Sequence, residues 1–488
     1  MFRREKNDFA IVFAITLLSL LVSKGLALVP AFGLDDYSVL HENRYPEFYL
    51  GQGRFVQAAI QVLLSSLGLS TTSISWVSIF LFFGFAAWAI TQGIFHVAED
   101  KGKVIGLAAI GAVIASHPYL TEYFTFRESL ITQGTAFLLL GLVLMVASRP
   151  VSGLWATVGV WILLVSLMVM LAGTQQTAFI ILGFFILARF LQRTLIADGE
   201  FNVRVRNGST WLLGFYLLAA VAYVAIVLIL QKATGVDQDS RNSIVGFDQL
   251  RRRSEMILSL TGKVLIHREP VLSLGVKWFA YLLLLILLAA GNWRRPGKLL
   301  LLVATVAVFY LGSIFLVSVS GVWWPVPRAI YGFGFALGIS LLLAYLNYHG
   351  HLQRIFPVLM FIAAAGFSLH SSALLHDQIR LNRWDAWVAS GILHDVIAAG
   401  GDSESRIVLI GASWRHSLAL TSTDGDLNIS ALPVAKASDD LFMEATGRKW
   451  KVEVVATAPE CGGAQIWPNR GAVRRVGDAF YVCMGPSR

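Results

Sequence analysis

Two adjacent aspartates follow the first hydrophobic segment of the chain. Asp35 and Asp36 belong to GLDDYSVLHENRYPEFYLGQGR, residues 33–54, which we term the first polar loop. Carboxylates at the edge of a membrane are costly unless they meet water, a cation or a substrate. Their position therefore allows four roles: a catalytic base, a metal site, a proton relay or a solvated loop.

Polar side chains also fill three later segments. These are SHPYLTEYFTFRES at 116–129, termed the second polar loop, GTQQ at 173–176 and VWWPVPRAIYG at 322–332. Arginine binds phosphate through paired hydrogen bonds, while carboxylates, amides and aromatic rings suit a sugar. The segments favour a lipid-linked, phosphate-bearing, polyhydroxylated substrate. The candidate sugar- or acceptor-binding residues are His117, Tyr119, Glu122, Glu128, Gln175, Gln176 and Trp324.

The composition identifies a membrane protein. Of the 488 residues, 56% are hydrophobic and 14% are charged, whereas a soluble domain has about a quarter charged residues. The net charge of +9 indicates topology and contact with anionic lipid, not nucleic acid. The sequence has no Gly-rich phosphate loop and no zinc-type Cys/His spacing.

The apolar runs predict an α-helical polytopic protein. About eleven runs are long enough to cross a bilayer, given that roughly 20 helical residues are needed. They lie near 9–29, 74–95, 104–117, 130–147, 153–172, 176–191, 211–230, 271–291, 299–319, 329–346 and 355–373. The N-terminal run is long enough to be a retained anchor. Residues 55–70 have an amphipathic pattern and are predicted to lie along the membrane surface.

Loop charge predicts the orientation. The basic residues of the short loops fall on one side, which places the N-terminus in the cytoplasm. Eleven crossings then place both polar loops and the C-terminal domain outside. Residues 231–270 form a basic loop on the outer side and include Arg251 and Arg252. This loop is an anion-binding device, an amphipathic interfacial helix or a sign of a different topology.

A small α/β domain is predicted at the C-terminus. The composition changes near Ser371, so we divide the chain into a transmembrane catalytic region, 1–373, and a C-terminal domain, 374–488. Residues 384–400 have the pattern of an amphipathic helix, and 406–413, 451–458 and 479–485 have that of strands. Cys461 and Cys483 are the only cysteines. In an extracytoplasmic segment they are most simply a structural disulfide.

The order of the motifs resembles a known family. An early DDY, a GR at 53–54, HPYLTEYFTFRES, a Gln-rich turn, a PxxR element and the WDAWVASGILHD helix follow one another. This order resembles the phage- and bacterium-encoded O-antigen glucosyltransferases of the Gtr type II family, within the GT-C superfamily. The resemblance implies a GT-C-like membrane fold and an active site at the outer, periplasmic face of the bacterial inner membrane.

The resemblance also implies a reaction. The protein would move a hexose, with glucose expected, from a polyprenyl-phosphate donor to O-antigen, lipopolysaccharide or a related polysaccharide. Asp35 or Asp36 would be the catalytic carboxylate, which could take a proton from the acceptor hydroxyl. Polyprenyl phosphate is already an activated leaving group, so no cofactor is required. A divalent metal is the alternative, since several relatives in the superfamily use one. The candidate donor-phosphate residues are Arg54, Arg127, Arg328, Arg251 and Arg252.

Several of these residues have structural alternatives. The aspartates fit a solvated loop or a helix cap, and Glu122, Arg127 and Glu128 fit a set of structural ion pairs. Arg328 and Trp324 fit anchors at the membrane interface. The remaining polar residues fit helix ends, where they would satisfy backbone groups: His117, Gln175 and Gln176.

Two other functions compete with sugar transfer. A transporter or flippase of lipid-linked sugars is expected to carry ionisable residues in mid-helix or broken helices in paired repeats. The predicted spans are nearly free of charge, which favours chemistry at the membrane surface. A non-catalytic assembly component, with a partner bound to the C-terminal domain, is the third interpretation.

Overall fold

The structure is a computed structural model of the 488-residue chain. It describes all residues except 1, 41–42, 99–102, 150–151, 197–202, 241–242, 244, 267–273, 349, 403, 413–426, 458–460, 463–464 and 486–488. Parts of the basic loop and the final residues of two predicted strands, 413 and 458, thus lie outside the described residues.

Helices dominate the described chain. In order they are α1 Phe2–Lys24, α2 Leu34–Tyr37, α3 Pro46–Gly51, α4 Phe55–Ser66, α5 Ser75–Val97, α6 Val104–Ser116, α7 Leu130–Ala147, α8 Leu154–Thr174, α9 Gln176–Ile196, α10 Val203–Thr234, α11 Leu250–Leu265, α12 Leu274–Asn292, α13 Pro296–Val319, α14 Gly332–Leu346, α15 Ile355–Ala398 and α16 Ala435–Thr446. Short 3₁₀ helices cover Gly25–Leu28, Pro118–Thr125, Arg127–Ser129, Phe247–Gln249, His351–Arg354 and Arg470–Ala472.

The polytopic helical architecture is confirmed. Among the described residues, nine helices are long and apolar enough to cross a membrane, or ten if α6 and Pro118–Thr125 form one span bent by 47°. The sequence predicted about eleven. The difference includes α14, whose 15 residues extend only about 22 Å at 1.5 Å per residue, short of a hydrocarbon core of about 30 Å.

The bundle has a buried centre and a lipid-facing perimeter. In α5, α7 and α9, 61% of the apolar window is buried, whereas α8 and the apolar part of α10 bury only 22% and 11%. Helices α6 and α14 are short and buried almost throughout. Because lipid is as apolar as the side chains, leucine and valine on the perimeter helices carry no penalty there.

A four-stranded sheet follows helix α15. Its strands are β1 Arg406–Ile410, β2 Lys451–Val455, β3 Val473–Val476 and β4 Ala479–Cys483, in the order β2-β1-β4-β3. Strand β1 pairs in parallel with β2 and β4, while β3 pairs with β4 in the antiparallel direction. The small C-terminal α/β unit is therefore confirmed.

One face of the sheet packs against two helices. Ile407 and Phe480, which are register partners, share a hydrophobic core with Ile392 of α15 and Phe442 of α16. Cys461 and Cys483 form a disulfide whose Cα atoms are 5.7 Å apart. Helix α15 runs without a break from the membrane bundle into this core and thereby connects the two parts of the molecule.

Candidate active site

Helix α2 carries both aspartates of the first polar loop. It is a single turn, and the residue before it, Gly33, lies against the second polar loop. The Gly33 amide donates to the Thr125 carbonyl at 2.6 Å, and a Cβ atom on Gly33 would stand 2.9 Å from that oxygen. Successive helical residues point about 100° apart. The two carboxylates therefore enter different surroundings.

Asp36 connects the two polar loops. Its carboxylate is fully buried and accepts backbone N–H bonds from Gly33 at 3.1 Å and from Arg127 and Glu128 at 3.0 Å each. Burial and the negative charge of Glu128 raise the pKa of Asp36 to about 7, against the effect of those three donors. The geometry is that of a structural connection between loops.

Asp35 lies beside three cationic side chains. Its side chain is 24% exposed; Oδ1 accepts from Lys436 and lies 3.6 Å from Arg44 Nη2, and Oδ2 lies 3.8 Å from Arg328 Nη2. Burial alone would raise the pKa of Asp35, but the hydrogen bond and charge of Lys436, with Arg328 and Arg44, hold it below its ordinary value. At neutral pH, Asp35 is therefore an ionised carboxylate at the surface.

Two glutamates of the second polar loop hold the arginines that face Asp35. Glu122 is fully buried, and its two oxygens accept from Arg328 Nη1 and from the Arg328 backbone N–H, each at 2.6 Å. Arg328 also stacks on the Phe126 ring at 3.9 Å. Glu128 binds Arg44 Nε at 2.6 Å. Both glutamates thus position cations beside Asp35.

Arg127 donates hydrogen bonds to backbone carbonyls in the segment after α1. Its Nε donates to the Ala31 carbonyl at 2.9 Å, and its Nη2 donates to the carbonyls of Ala27 at 2.7 Å and Val29 at 2.9 Å. Its Nη1 donates to Ser75 Oγ at 3.0 Å. In this conformation each guanidinium nitrogen already has a protein acceptor.

Arg54, Gln175 and three tyrosines form a second group, in which Arg54 is half-buried and the other side chains are buried. The Arg54 guanidinium lies within electrostatic range of Tyr49, Tyr123 and Tyr331. Gln175 Nε2 donates to Tyr123 Oη at 2.7 Å, and Tyr123 Oη donates to the Arg328 carbonyl at 2.9 Å. This Arg54 cluster is therefore joined to the residue that faces Asp35.

Several polar atoms of the Arg54 cluster are buried without a hydrogen-bond partner in the described part of the chain. They are Tyr49 Oη, Arg54 Nε, Gln175 Oε1 and Tyr331 Oη. Tyr49 and Tyr331 are each 1% exposed and Gln175 is 4% exposed. Buried polar atoms are usually bonded, since leaving one unbonded costs about 1–3 kcal/mol. The cluster thus offers three donors and one acceptor to a bound group.

The other predicted residues lie elsewhere in the contact network. Gln176 Nε2 donates to the Gln52 carbonyl at 3.0 Å and to Tyr223 Oη at 2.9 Å. The buried His117 ring packs against Tyr119 and Phe367, with ring centroids 5.1 and 4.9 Å apart. These contacts place Gln176 beside the first polar loop and His117 in aromatic packing.

The basic loop contributes an exposed helix. Arg251 and Arg252 lie on the exposed side of α11, and Arg251 pairs with Glu255 at 3.6 Å. Arg253, which points inward, donates to the Ser320 carbonyl at 2.7 Å. Trp324 is 46% exposed. None of these four side chains contacts Asp35 within the described residues, so the roles of Arg251, Arg252 and Trp324 remain predictions.

No metal-type cluster of three or more His, Cys, Asp or Glu side chains occurs among the described residues. The carboxylates near Asp35 are each engaged by a cation or by backbone N–H groups: Asp36, Glu122 and Glu128.

Two charged contributors, Arg44 and Lys436, and the tyrosines of the Arg54 cluster were not among the predicted site residues. Lys436 is the second residue of α16 and reaches Asp35 across 401 positions of sequence. No local pattern signals such a contact. Tyr49 lies in the first polar loop and Tyr123 in the second. Their location in these loops could have identified them as candidate site residues.

The profile of the glucosyl transferase GtrII family matches residues 29–370. This segment contains both aspartates, both polar loops and Arg328, and it ends inside α15. No curated protein matches the chain. Because the match covers more than half of the 488 residues, the chain belongs to the glucosyl transferase GtrII family and is a glycosyltransferase.

Proposed function

We propose that this membrane glycosyltransferase moves glucose from a polyprenyl-phosphate carrier to O-antigen, lipopolysaccharide or a related surface glycan. The setting of Asp35 carries the proposal. It is a partly exposed carboxylate that lies between cationic side chains, inside the segment that matches the family. The chemistry is of the GT-C type, with the carboxylate in the loop after the first span.

Asp35 is the proposed general base. An acceptor hydroxyl attacks C1 of the donor sugar, its proton moves to an Asp35 oxygen, and the bond between C1 and the phosphate oxygen breaks with its electron pair on the phosphate. A hydroxyl is a weak nucleophile, and a positioned base contributes about 10²–10⁴-fold to such a step. Asp36 is assigned the structural role, because three N–H groups already bind its buried carboxylate.

The departing phosphate gains negative charge, so cations near it stabilise the transition state. Arg328 is a proposed contact, since Glu122 fixes its Nη1 while its Nη2 faces Asp35 at 3.8 Å. Arg54 is the second proposed contact of the phosphate. Its Nε has no hydrogen-bond partner in the described part of the chain, and a phosphate oxygen would supply an acceptor.

The Arg54 cluster also suits the sugar. Tyr49 and Tyr331 offer hydroxyls and Gln175 offers a carbonyl oxygen, all buried and without partners among the described residues. A hexose hydroxyl both donates and accepts, so it can satisfy groups of either kind. We propose that the donor hexose lies here, with its phosphate between Arg54 and Arg328.

The proposed location is the bacterial inner membrane, with the reaction at the periplasmic face. The basic residues of the short loops support this orientation through the positive-inside rule. Polyprenyl phosphate would approach through the lipid that surrounds the perimeter helices.

Transfer assays of two aspartate variants test the assignment. Membranes that contain the wild-type protein, Asp35→Asn or Asp36→Asn are supplied with polyprenyl-phosphate [¹⁴C]glucose and acceptor glycan. We expect Asp35→Asn to lower the transfer rate by about 10²-fold or more, with only a small loss of thermal stability from its ion pairs. Asp36→Asn is expected to lower thermal stability, since one carboxylate oxygen that accepts an N–H bond is replaced by an NH₂ group.

Asp478→Asn is the matched control. Asp478 lies exposed in the turn between β3 and β4, so its variant is expected to transfer at the wild-type rate. Full activity of Asp35→Asn would refute its role as the base. Donor movement across liposomes without consumption of the donor would instead identify a flippase.

A further inference from the structure

The C-terminal domain contributes a side chain to the proposed active site. Lys436 Nζ donates to Asp35 Oδ1. The other two cations at Asp35, Arg44 and Arg328, belong to the segment that matches the family, which ends at residue 370. Lys436 lies beyond that segment.

The helix that carries Lys436 is fixed in place. Leu441 and Phe442 of α16 are 1% and 0% exposed in the core of the C-terminal domain. Asp439 of the same helix accepts the backbone N–H of Val452 on β2 at 2.8 Å. The backbone at Lys436 therefore has a defined position, although its side chain is 56% exposed.

One face of α15 aligns α16 with the first polar loop. Asn382 accepts the Phe32 amide at 2.8 Å and donates to Tyr37 Oη at 3.2 Å, next to the aspartates. Gln378 and Asp385 lie four residues before and three residues after Asn382, so all three occupy one helix face. This helix face contacts the chain on either side of the aspartates, and also the segment that leads to Lys436.

Gln378 and Asp385 also bind the segment before α16. Gln378 Oε1 accepts the Asn428 amide at 2.6 Å. Asp385 accepts from Ser430 Oγ at 2.7 Å and from the Ala431 amide at 2.8 Å. These hydrogen bonds fix the residues that precede α16 relative to α15.

Hydrophobic packing reinforces the alignment. Leu34 and Tyr37, which flank the aspartates on α2, are 7% and 2% exposed and belong to the same hydrophobic core as Ile392 and Phe442. The turn that carries Asp35 is thus part of the core of the C-terminal domain. The contact with Lys436 follows from this shared core.

We infer that Lys436 is a positioning residue for the proposed base, and that the C-terminal domain thereby completes the active site. This inference rests on the proposed function of Asp35. A cation on Oδ1 fixes the rotamer of the carboxylate and favours its ionised form, which a general base requires. Burial disfavours that form, and Lys436 is the largest of the cationic influences that offset it.

The pH profile of transfer tests the inference. Without Lys436 the pKa of Asp35 rises, so the base becomes protonated at a higher pH and the acid side of the profile moves upward. For Lys436→Met in the full-length protein we expect an upward shift of roughly half a unit to one unit. Lys436→Glu should shift it further, and Lys436→Arg should keep the wild-type profile.

Lys451→Met is the matched control, because Lys451 is an exposed lysine of the same domain that pairs with Glu404. Its profile should match that of the wild type. A Lys436→Met profile that superimposes on the wild-type profile would overturn the inference. Full activity of Asp35→Asn would overturn the proposed base instead, so the two failures are distinguishable.

Discussion

Asp35 and Asp36 differ in the kind of group that each carboxylate contacts. Asp36 binds three backbone N–H groups, which cannot move without disturbing both polar loops. Asp35 faces the ends of cationic side chains and keeps 24% of its own side chain exposed, so an acceptor hydroxyl can approach it without disturbing the backbone. A base must exchange its partner during the reaction, whereas a structural carboxylate must not. This difference favours Asp35.

Arg54 is expected to act on donor binding. A hydrogen bond to a charged group contributes about 1.5–3 kcal/mol, so Arg54→Gln should raise the KM for polyprenyl-phosphate glucose by roughly tenfold to a hundredfold. Arg54→Lys keeps the charge but loses the paired geometry, so its KM should lie between those of wild type and Arg54→Gln. Initial rates at varied donor concentration measure the effect.

The exposed Arg448 provides the comparison for Arg54. It lies in the C-terminal domain just after α16, and Arg448→Gln should leave the KM for the donor unchanged. An equal rise in KM for both variants would indicate a general attraction of the donor to positive charge. The specific phosphate contact at Arg54 would then be incorrect.

Among the elements, those with a strong apolar pattern could be predicted from sequence. The buried apolar run at 406–413 predicted β1, and the patterns at 451–458 and 479–485 predicted β2 and β4. Strand β3 was missed because its sequence, VRRV, carries two exposed arginines at a sheet edge. Its position depends on pairing with β4, which no local pattern encodes.

The candidate site was predictable as a set of segments, not as a set of contacts. The charge of the loops predicted that the two polar loops and Arg328 lie at one face of the membrane. The separate roles of Asp35 and Asp36 depend on side-chain direction within one helical turn. The contact of Lys436 depends on how α16 packs against α15, more than 400 residues from Asp35 in the chain.

Tyr37 is expected to couple helix α2 to the C-terminal domain. Its side chain is 2% exposed, and its hydroxyl accepts from Asn382 at 3.2 Å. Tyr37→Ala should lower the free energy of unfolding by about 3–5 kcal/mol, the range for loss of a buried aromatic ring, and should lower sugar transfer because Asp35 shares the helix. Tyr37→Phe keeps the ring and should lose only about 1 kcal/mol.

Thermal unfolding in detergent and transfer in membranes measure these two effects. Normal transfer by a destabilised Tyr37→Ala protein would show that the position of Asp35 does not depend on this packing. The coupling between the domain and the active site would then be wrong.

The whole molecule combines a membrane-spanning bundle with a sheet domain, and both contact the first polar loop. Residues 33–37 contact the second polar loop on one side and the C-terminal core on the other. Because residues 33–37 contact both parts, the proposed active site and the C-terminal domain must lie at the same membrane face. The sidedness of the domain therefore fixes the sidedness of the proposed chemistry.

Labelling of engineered cysteines tests this sidedness. Cys461 and Cys483 are joined, so a membrane-impermeant maleimide should react only with an introduced thiol. Glu404→Cys reports on the C-terminal domain, where Glu404 is 82% exposed, and Arg294→Cys reports on the exposed turn between α12 and α13. In intact spheroplasts we expect Glu404→Cys to be labelled, and Arg294→Cys to be labelled only after detergent is added. The reverse pattern would place the domain, and the proposed transfer reaction with it, in the cytoplasm, where a structural disulfide is not expected to persist.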